Sequence, residues 1–320
     1  MTRAAVLSGL GAWAPPHEVS NDEIAALIGR DDEWIRARTG IASRRRVAPG
    51  VSTGTLAVGA GRRALRSAEV STVDHVILAT TTPERIMPAT APAVASALGL
   101  SAPAFDLNAA CSGFVYGLAV ASSLIIAGTA ESVLLIGADT LSSITDPTDP
   151  MTAPLLADGA GAVVLRAGHA EELGALHAFD LHSEGEHVES LKAEHGGRVV
   201  MQGRQVFMAA VRNMAASAVA AVETAGFALP DLDRVIGHQA NIRILHAVAD
   251  QLGLTPDRLV TNLVRFGNTS AASIPLAMVD GVSTSQLNPG ELALVTAFGA
   301  GFTWGATTLR WPALVVEKVD

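Results

Sequence analysis

The sequence predicts an α/β fold of two similar halves, stacked as layers about a pseudo-twofold axis. Three observations carry the prediction. The first is an internal repeat. "VDHVILATT" (73–81) resembles "LDRVIGHQA" (232–240), and at the same offset of 159 residues (73 to 232) "ESVLLIGADTLS" (131–142) falls on "GELALVTAFGAG" (290–301). The second is that the strand-like runs are continuously apolar, as in a sheet covered on both faces. The third is that two helical stretches, 112–127 and 269–281, are rich in Ala, Ser and Gly and lack an amphipathic stripe, as suits helices buried between layers.

The elements follow in order. "MTRAAVLSGLGAWA" reads as a first strand closed by a Gly/Pro turn; its apolar part is short for a signal peptide. Each half then runs strand, helix, strand, helix, strand, strand. In the first half an Ala-rich "GRRALRSA" precedes 73–81, "PAFDLNAAC" leads into the 112–127 helix, and "ESVLLIGADTLS" and "GAGAVVLRA" (159–167) close the unit. In the second half "AVAAVETAG" precedes 232–240. "RLVTNLVRFGN" then leads into "TSAASIPLAMVDGV", and "GFTWGATTLRW" (301–311) is the last strand. The glycines of "DGAGAVVL" (158–165) lead into a strand rather than out of one, so they read as a tight turn and not as a phosphate loop. Residues 168–200, rich in His, Glu and Gly and without periodicity, read as a surface excursion joining halves at 1–170 and 171–320.

Composition narrows the function. Hydrophobic residues are 49% and charged residues 17%, so much of the chain lies inside a core. The most apolar run, 114–128, is broken by Gly117, Ser122 and Ser123 and reads as a buried helix rather than a membrane span. A net charge of −9 argues against nucleic-acid binding, and the one basic run, Arg44-Arg45-Arg46, reads as a solvated strand end or loop. No Cys/His cluster has metal spacing, so no metal is expected. One cysteine and no export signal point to the cytoplasm.

That cysteine, Cys111, sits where a strand turns into the first central helix, between the small residues Ala110 and Ser112. A helix N-terminus stabilises an anion, an environment that lowers a thiol pKa toward a nucleophilic thiolate. The repeat supplies partners. His238 ends its strand at the edge where α/β sheets bind ligands, and Asn268 precedes the second central helix. If the halves pack about a pseudo-twofold, all three side chains converge. A histidine moves or donates a proton, and an asparagine amide donates hydrogen bonds without titrating. The glycines of "AFGAGFTWG" (297–305) allow close approach to a ligand, and backbone N–H groups there, with that of Cys111, suit an oxyanion hole.

With these residues in view, the chain resembles the thiolase-fold condensing enzymes, specifically β-ketoacyl-acyl-carrier-protein synthase III. Six ordered motifs carry the likeness: "DDEWIRARTGI" (31–41), "AFDLNAACSGF" (104–114), "DGAGAVVL" (158–165), "GHQANIRIL" (237–245), "RFGNTSAASIPLA" (265–277) and "AFGAGFTWG" (297–305). The resemblance implies a homodimer of five-layered αβαβα subunits. It implies that Cys111 holds an acyl primer, that His238 and Asn268 assist decarboxylation of a malonyl thioester, and that the amides of Cys111 and Ala300 form the oxyanion hole. It assigns Trp34, Arg38, Phe207, Asn241 and Arg243 to a pantetheine tunnel and its mouth, and Met87 and Leu156 to the primer pocket. Acyl-coenzyme A or acyl-carrier-protein thioesters are the implied substrates, with no resident cofactor.

Three departures from the family pattern stand out. Pro150 replaces a usual arginine opposite Trp34, which weakens the expected hold on coenzyme A. Met208, Asp250 and Gln251 thin a usually basic carrier-docking face, although Arg204, Arg212 and Arg243 remain. Met87 and Leu156 replace larger aromatic residues, which suggests a primer larger than acetyl. Together they suggest a specialised-metabolism member. Acyl transfer to an oxygen or nitrogen nucleophile is the main alternative. A non-catalytic partner subunit is disfavoured by the presence of Cys111, and a cysteine hydrolase has only Cys and His in its favour.

Overall fold

The computed structural model describes residues 2–319. The first sheet contains β1 (Arg3–Trp13), β2 (His75–Ala79), β3 (Ala104–Leu107), β4 (Ser132–Thr140) and β5 (Asp158–His169), in the order β1-β5-β4-β2-β3. Strand β2 runs parallel to β3 and β4, and β5 is antiparallel to β4 and β1. The second sheet contains β6 (Leu176–Ser183), β7 (Arg234–Gly237), β8 (Leu292–Gly299) and β9 (Thr303–Arg310), in the order β7-β8-β9-β6. Outside β7, Leu259 makes a single parallel bridge to Val235, at the place β3 holds in the first sheet. The two sheets thus share one strand order, as the repeat predicts.

Helices fill three layers. On the outer face of the first sheet lie α2 (Thr53–Ser67) and α3 (Ala91–Ala97), packing Leu56, Ala60, Ala64 and Val94 on Leu134, Ile136 and Val164. Between the sheets lie α4 (Gly113–Ile126) and α7 (Ser273–Ser283). Their Phe114, Leu118, Ile274 and Val279 meet Leu135 and Val163 of one sheet and Val295 and Ala297 of the other. On the far face lie α5 (Gly203–Thr224) and α6 (Ile242–Gln251), with Met214, Ala218 and Leu245 on Leu292 and Leu294. This is the five-layered αβαβα order. Each large apolar side chain buried in the central layer contributes about 1.5–3 kcal/mol, which is why a helix with no polar stripe is stable only there.

Several local expectations are corrected. The segment 168–200 is not wholly a surface excursion, because β6 within it is the edge strand of the second sheet, paired to β9. An edge strand is half covered, so His177, Asp180 and His182 dilute its pattern. "DGAGAVVL" is strand from its first residue, and its glycines serve packing rather than a turn. A Cβ on Gly161 would stand 2.6 Å from the Pro275 ring, and one on Gly159 2.8 Å from Leu276. In "RLVTNLVRFGN" the strand shrinks to one bridge, followed by a short helix at Leu263–Phe266.

Arg44 is not solvated at all but fully buried. Its guanidinium donates to Val19 O, Asn21 Oδ1 and Pro154 O, and burial pulls its pKa down to about 10. Among the described residues α5 is the one helix whose length and apolarity match a membrane span. Most of its most apolar window is packed on the second sheet, which accounts for that composition.

Candidate active site

Two backbone elbows build the floor of the site. After β3, Asn108 Oδ1 accepts the N–H of Ala110 at 3.1 Å, Ala110 adopts φ +48°, and a 3₁₀ turn (Ala110–Ser112) leads into α4. In the second half Asn268 Oδ1 accepts the N–H of Ser270 at 2.9 Å, Ser270 adopts φ +53°, and a 3₁₀ turn (Ser270–Ala272) leads into α7. A non-glycine residue in this region carries strain of about 1–3 kcal/mol, and the Asx hydrogen bond partly offsets it. The elbows set Cys111 at the head of one buried helix and Asn268 beside the head of the other.

Close backbone approach brings the elbows together. A Cβ on Gly113 would stand 3.7 Å from that of Ala271. Gly137 of β4 lies against the Ala271 carbonyl, too near for any side chain, and a Cβ on Gly299 would fall 2.8 Å from the Cys111 amide nitrogen. Thr303 latches the glycine turn to the first elbow, its hydroxyl lying 3.1 Å from Ala109 O, 3.0 Å from Ala300 O and 2.6 Å from Ser112 Oγ.

His238 follows β7 and is buried, with Nδ1 2.7 Å from Ser273 Oγ at the start of α7. Burial pulls its pKa down to about 4, so the ring is neutral at pH 7. Asn268 is held on its main chain by two bonds, from its N–H to Leu155 O (2.9 Å) and to its carbonyl from Ala157 N–H (2.8 Å). With Oδ1 engaged by Ser270, its Nδ2 is the group left to act as a donor.

Cys111, His238 and Asn268 all line one cavity of about 400 Å³. Trp34, Arg38, Phe207, Asn241 and Arg243 line the same cavity, as does Pro150. The mouth is built by α1 (Asp32–Thr39), whose N-cap Asp31 accepts the Trp34 N–H at 2.7 Å and whose last turn ends at Gly40, φ +78°. One helical turn apart, Arg38 stacks its guanidinium 4.3 Å from the Trp34 ring centre. Asn241 donates from Nδ2 to Arg38 O at 2.8 Å, and Arg243 lies 5.6 Å from the Phe207 ring centre.

Four expectations about the site change. The Cys111 thiol is not lowered: burial pushes it up to about 12, the Asp139 carboxylate adds to the rise, and a hydrogen bond from the Ser270 side chain opposes it. Loss of hydration is the largest cause. Met87 is 83% exposed and is not among the residues that line the cavity holding Cys111; its loop is tied through Thr90, whose N–H donates to Asp106 and whose Oγ1 donates to Glu84. Leu156 is buried but the cavity wall is its neighbour Leu155, the last residue of a turn in which both amides bond back to Thr152 O. Ala300 sits at the glycine turn and does not line the cavity.

Sequence reading missed Ser273, Thr303 and the paired Asx turns. The signal for the turns was available: "NAAC" (108–111) and "NTSA" (268–271) align at an offset of 160 residues (108 to 268).

Comparison with known proteins agrees with this geometry. The family model of 3-oxoacyl-[acyl-carrier-protein] synthase III matches residues 105–185, and that of its C-terminal part matches 222–311. Beta-ketoacyl-[acyl-carrier-protein] synthase III 5 of Streptomyces coelicolor is 49% identical, over 98% of each chain. The crystal structure of 3-oxoacyl-(acyl carrier protein) synthase III from Pseudomonas aeruginosa superposes with a TM-score of 0.95 at 49% identity, covering 98% of this chain and 99% of that one. The priming β-ketosynthase of the R1128 polyketide biosynthetic pathway gives 0.92 at 33% identity, over 97% of each chain.

Fold and site therefore define a thiolase-fold condensing enzyme. Within that class the chain belongs to the β-ketoacyl-acyl-carrier-protein synthase III family, acyltransferases that join an acyl primer to a malonyl-type thioester and release a β-ketoacyl thioester.

Proposed function

We propose that Cys111 is the nucleophile and that His238 and Asn268 are the donors that stabilise the enolate. The sulfur attacks the thioester carbonyl of the primer. The acyl–sulfur bond to the carrier breaks, the acyl group passes to Cys111, and the thiol proton ends on the departing thiol. Because the thiol sits near 12, attack and proton loss are coupled, with the Cys111 amide beside the sulfur as charge develops. A malonyl-type thioester then enters. Its carboxylate leaves as carbon dioxide, and the electron pair moves onto the thioester oxygen, held by the imidazole N–H and the Asn268 amide. The enolate carbon attacks the acyl-cysteine, releasing the β-ketoacyl thioester and a cysteine thiolate that takes up a proton. The two half-reactions give ping-pong kinetics.

The observation that carries this reading is one cavity shared by a cysteine at a helix head and two neutral hydrogen-bond donors. Donors without formal charge suit an enolate, and the scheme uses no resident cofactor. The Cys111 amide is the proposed oxyanion-hole donor. The arginine-bearing mouth suits a phosphopantetheine arm, whether on coenzyme A or on a carrier protein. We further propose a cytoplasmic homodimer that initiates polyketide or fatty-acid chains. The edge strand β3, with Phe105 37% exposed, and the exposed Ile86 and Met87 on the neighbouring loop favour association there.

Intact-mass analysis after incubation with acyl-coenzyme A and acyl-carrier-protein thioesters tests the first step, with Cys111→Ala as control. Malonyl-dependent carbon dioxide release tests the second. Acylation followed by transfer to an oxygen or nitrogen acceptor, with no carbon dioxide, would replace condensation by simple acyl transfer.

A further inference from the structure

We propose that Ser273 is a positioning residue that keeps the His238 proton on Nε2, so that the ring serves the enolate as a donor and not the cysteine as a base. The inference rests on the functional reading above and deepens it.

Ser273 is 1% exposed and opens α7. Among the described residues its Oγ has two neighbours within hydrogen-bond reach. The Gln239 N–H donates to it at 3.2 Å, and His238 Nδ1 lies at 2.7 Å. The Gln239 contact uses Oγ as an acceptor. The serine proton then has a single acceptor in reach, the Nδ1 lone pair. If Nδ1 carried the proton instead, Oγ would receive two N–H groups while its own hydrogen stayed buried without a partner, which is the unfavourable arrangement.

The surroundings hold the geometry. Gln239 donates from Nε2 to Gly237 O (2.6 Å) and Val260 O (3.3 Å), and its Oε1 accepts the Asn262 N–H (3.2 Å). The peptide joining His238 to Gln239 is therefore fixed relative to Ser273. Among the described residues Nε2 has no hydrogen-bond partner, and it is not sealed from the cavity that His238 lines. The ring is neutral, so one nitrogen carries the single proton and its choice decides the chemistry. Asn268 is oriented from the same turn, through Ser270, so both donors are aimed by the residues that start α7.

The test uses the full-length enzyme with Ser273→Ala and Ser273→Thr, each checked by circular dichroism and thermal melting. Acylation of Cys111 and malonyl decarboxylation are timed separately. The expected result for Ser273→Ala is a fall in the decarboxylation kcat of about tenfold or more. The malonyl KM should stay within about threefold, acylation should change by less than about threefold, and the threonine variant should recover the loss. Equal loss in both half-reactions, or none, overturns the proposal.

A second measurement holds even if a variant folds poorly. In ¹⁵N-histidine-labelled wild-type enzyme, with the His238 signals assigned through His238→Gln, Nε2 should show the directly bonded proton. A proton on Nδ1 overturns the proposal. A wild-type enzyme that neither acylates Cys111 nor releases carbon dioxide would sink the functional reading instead, while the tautomer measurement stands apart from it.

Discussion

The elbow at Asn108–Ser112 and the elbow at Asn268–Ala272 are built alike and used differently. Both have an asparagine whose Oδ1 takes the amide two residues on, a non-glycine residue at positive φ, a 3₁₀ turn and a buried helix. The first puts Cys111 where the second puts Ala271. Asn108 is exposed, while Asn268 is buried and faces the cavity. A duplicated scaffold has divided the chemistry, with the nucleophile on one copy and a donor on the other. The shared backbone device keeps both at the line where the halves meet.

The largest way to break this contrast is to remove the nucleophile. Cys111→Ala should abolish acylation, a loss of about 10³-fold or more, read by intact mass. Moving the thiol to the other copy, as Ala271→Cys on that background, should not restore it if the elbows have truly diverged. Next come the paired asparagines. Asn268→Ala should lower decarboxylation by about 10²–10³-fold, the scale for loss of one oxyanion donor. Asn108→Ala should leave condensation within about threefold and lower stability by about 0.5–1.5 kcal/mol, the value of one net hydrogen bond, read by denaturant unfolding. Equal catalytic losses at both would show that these asparagines matter only as turn formers.

The pH dependence sharpens the contrast further. With a thiol near 12, the alkylation rate of Cys111 by iodoacetamide should rise about tenfold per pH unit from 7 to 9 with no plateau. A plateau below pH 8 would mean that the helix head governs the thiol after all. His238 behaves oppositely. Its folded pKa of about 4 lies below its ordinary 6.5. Between these values the unfolded chain binds the extra proton, so stability falls as pH drops from about 6.5 to 4. His238→Gln should flatten that part of the stability profile. Gly137→Ala probes the close approach of the two elbows through stability rather than chemistry. Its methyl meets the Ala271 carbonyl and should cost about 1–3 kcal/mol of stability, seen as a lower Tm with catalysis reduced in step.

The sequence was most legible where a pattern repeats. The apolar strands and the small-residue central helices, read at an offset of 159, give two sheets of one plan and the meeting of Cys111, His238 and Asn268. Edge strand β6 was illegible because a half-covered strand has little apolar signature. Arg44 was illegible because a charged run looks solvated until Asn21 and the Pro154 carbonyl, far away in sequence, are seen to receive it.

What the sequence determined by itself, then, is the stacking of two similar halves, the chemical types in the site and, through its six ordered motifs, the family, because repeats and motifs are local properties of the chain. Only the tertiary structure decided their state. Whether the Cys111 thiol is lowered by its helix or raised by burial depends on how much water the second half removes. That Met87 stands exposed, in a loop tied through Thr90 to Glu84 and Asp106, is likewise visible only in the folded chain. Which nitrogen of His238 holds its proton depends on a hydroxyl 35 residues away, brought to 2.7 Å. Desolvation and hydrogen-bond partnership are set by neighbours in space, and those exist only once the two halves have packed.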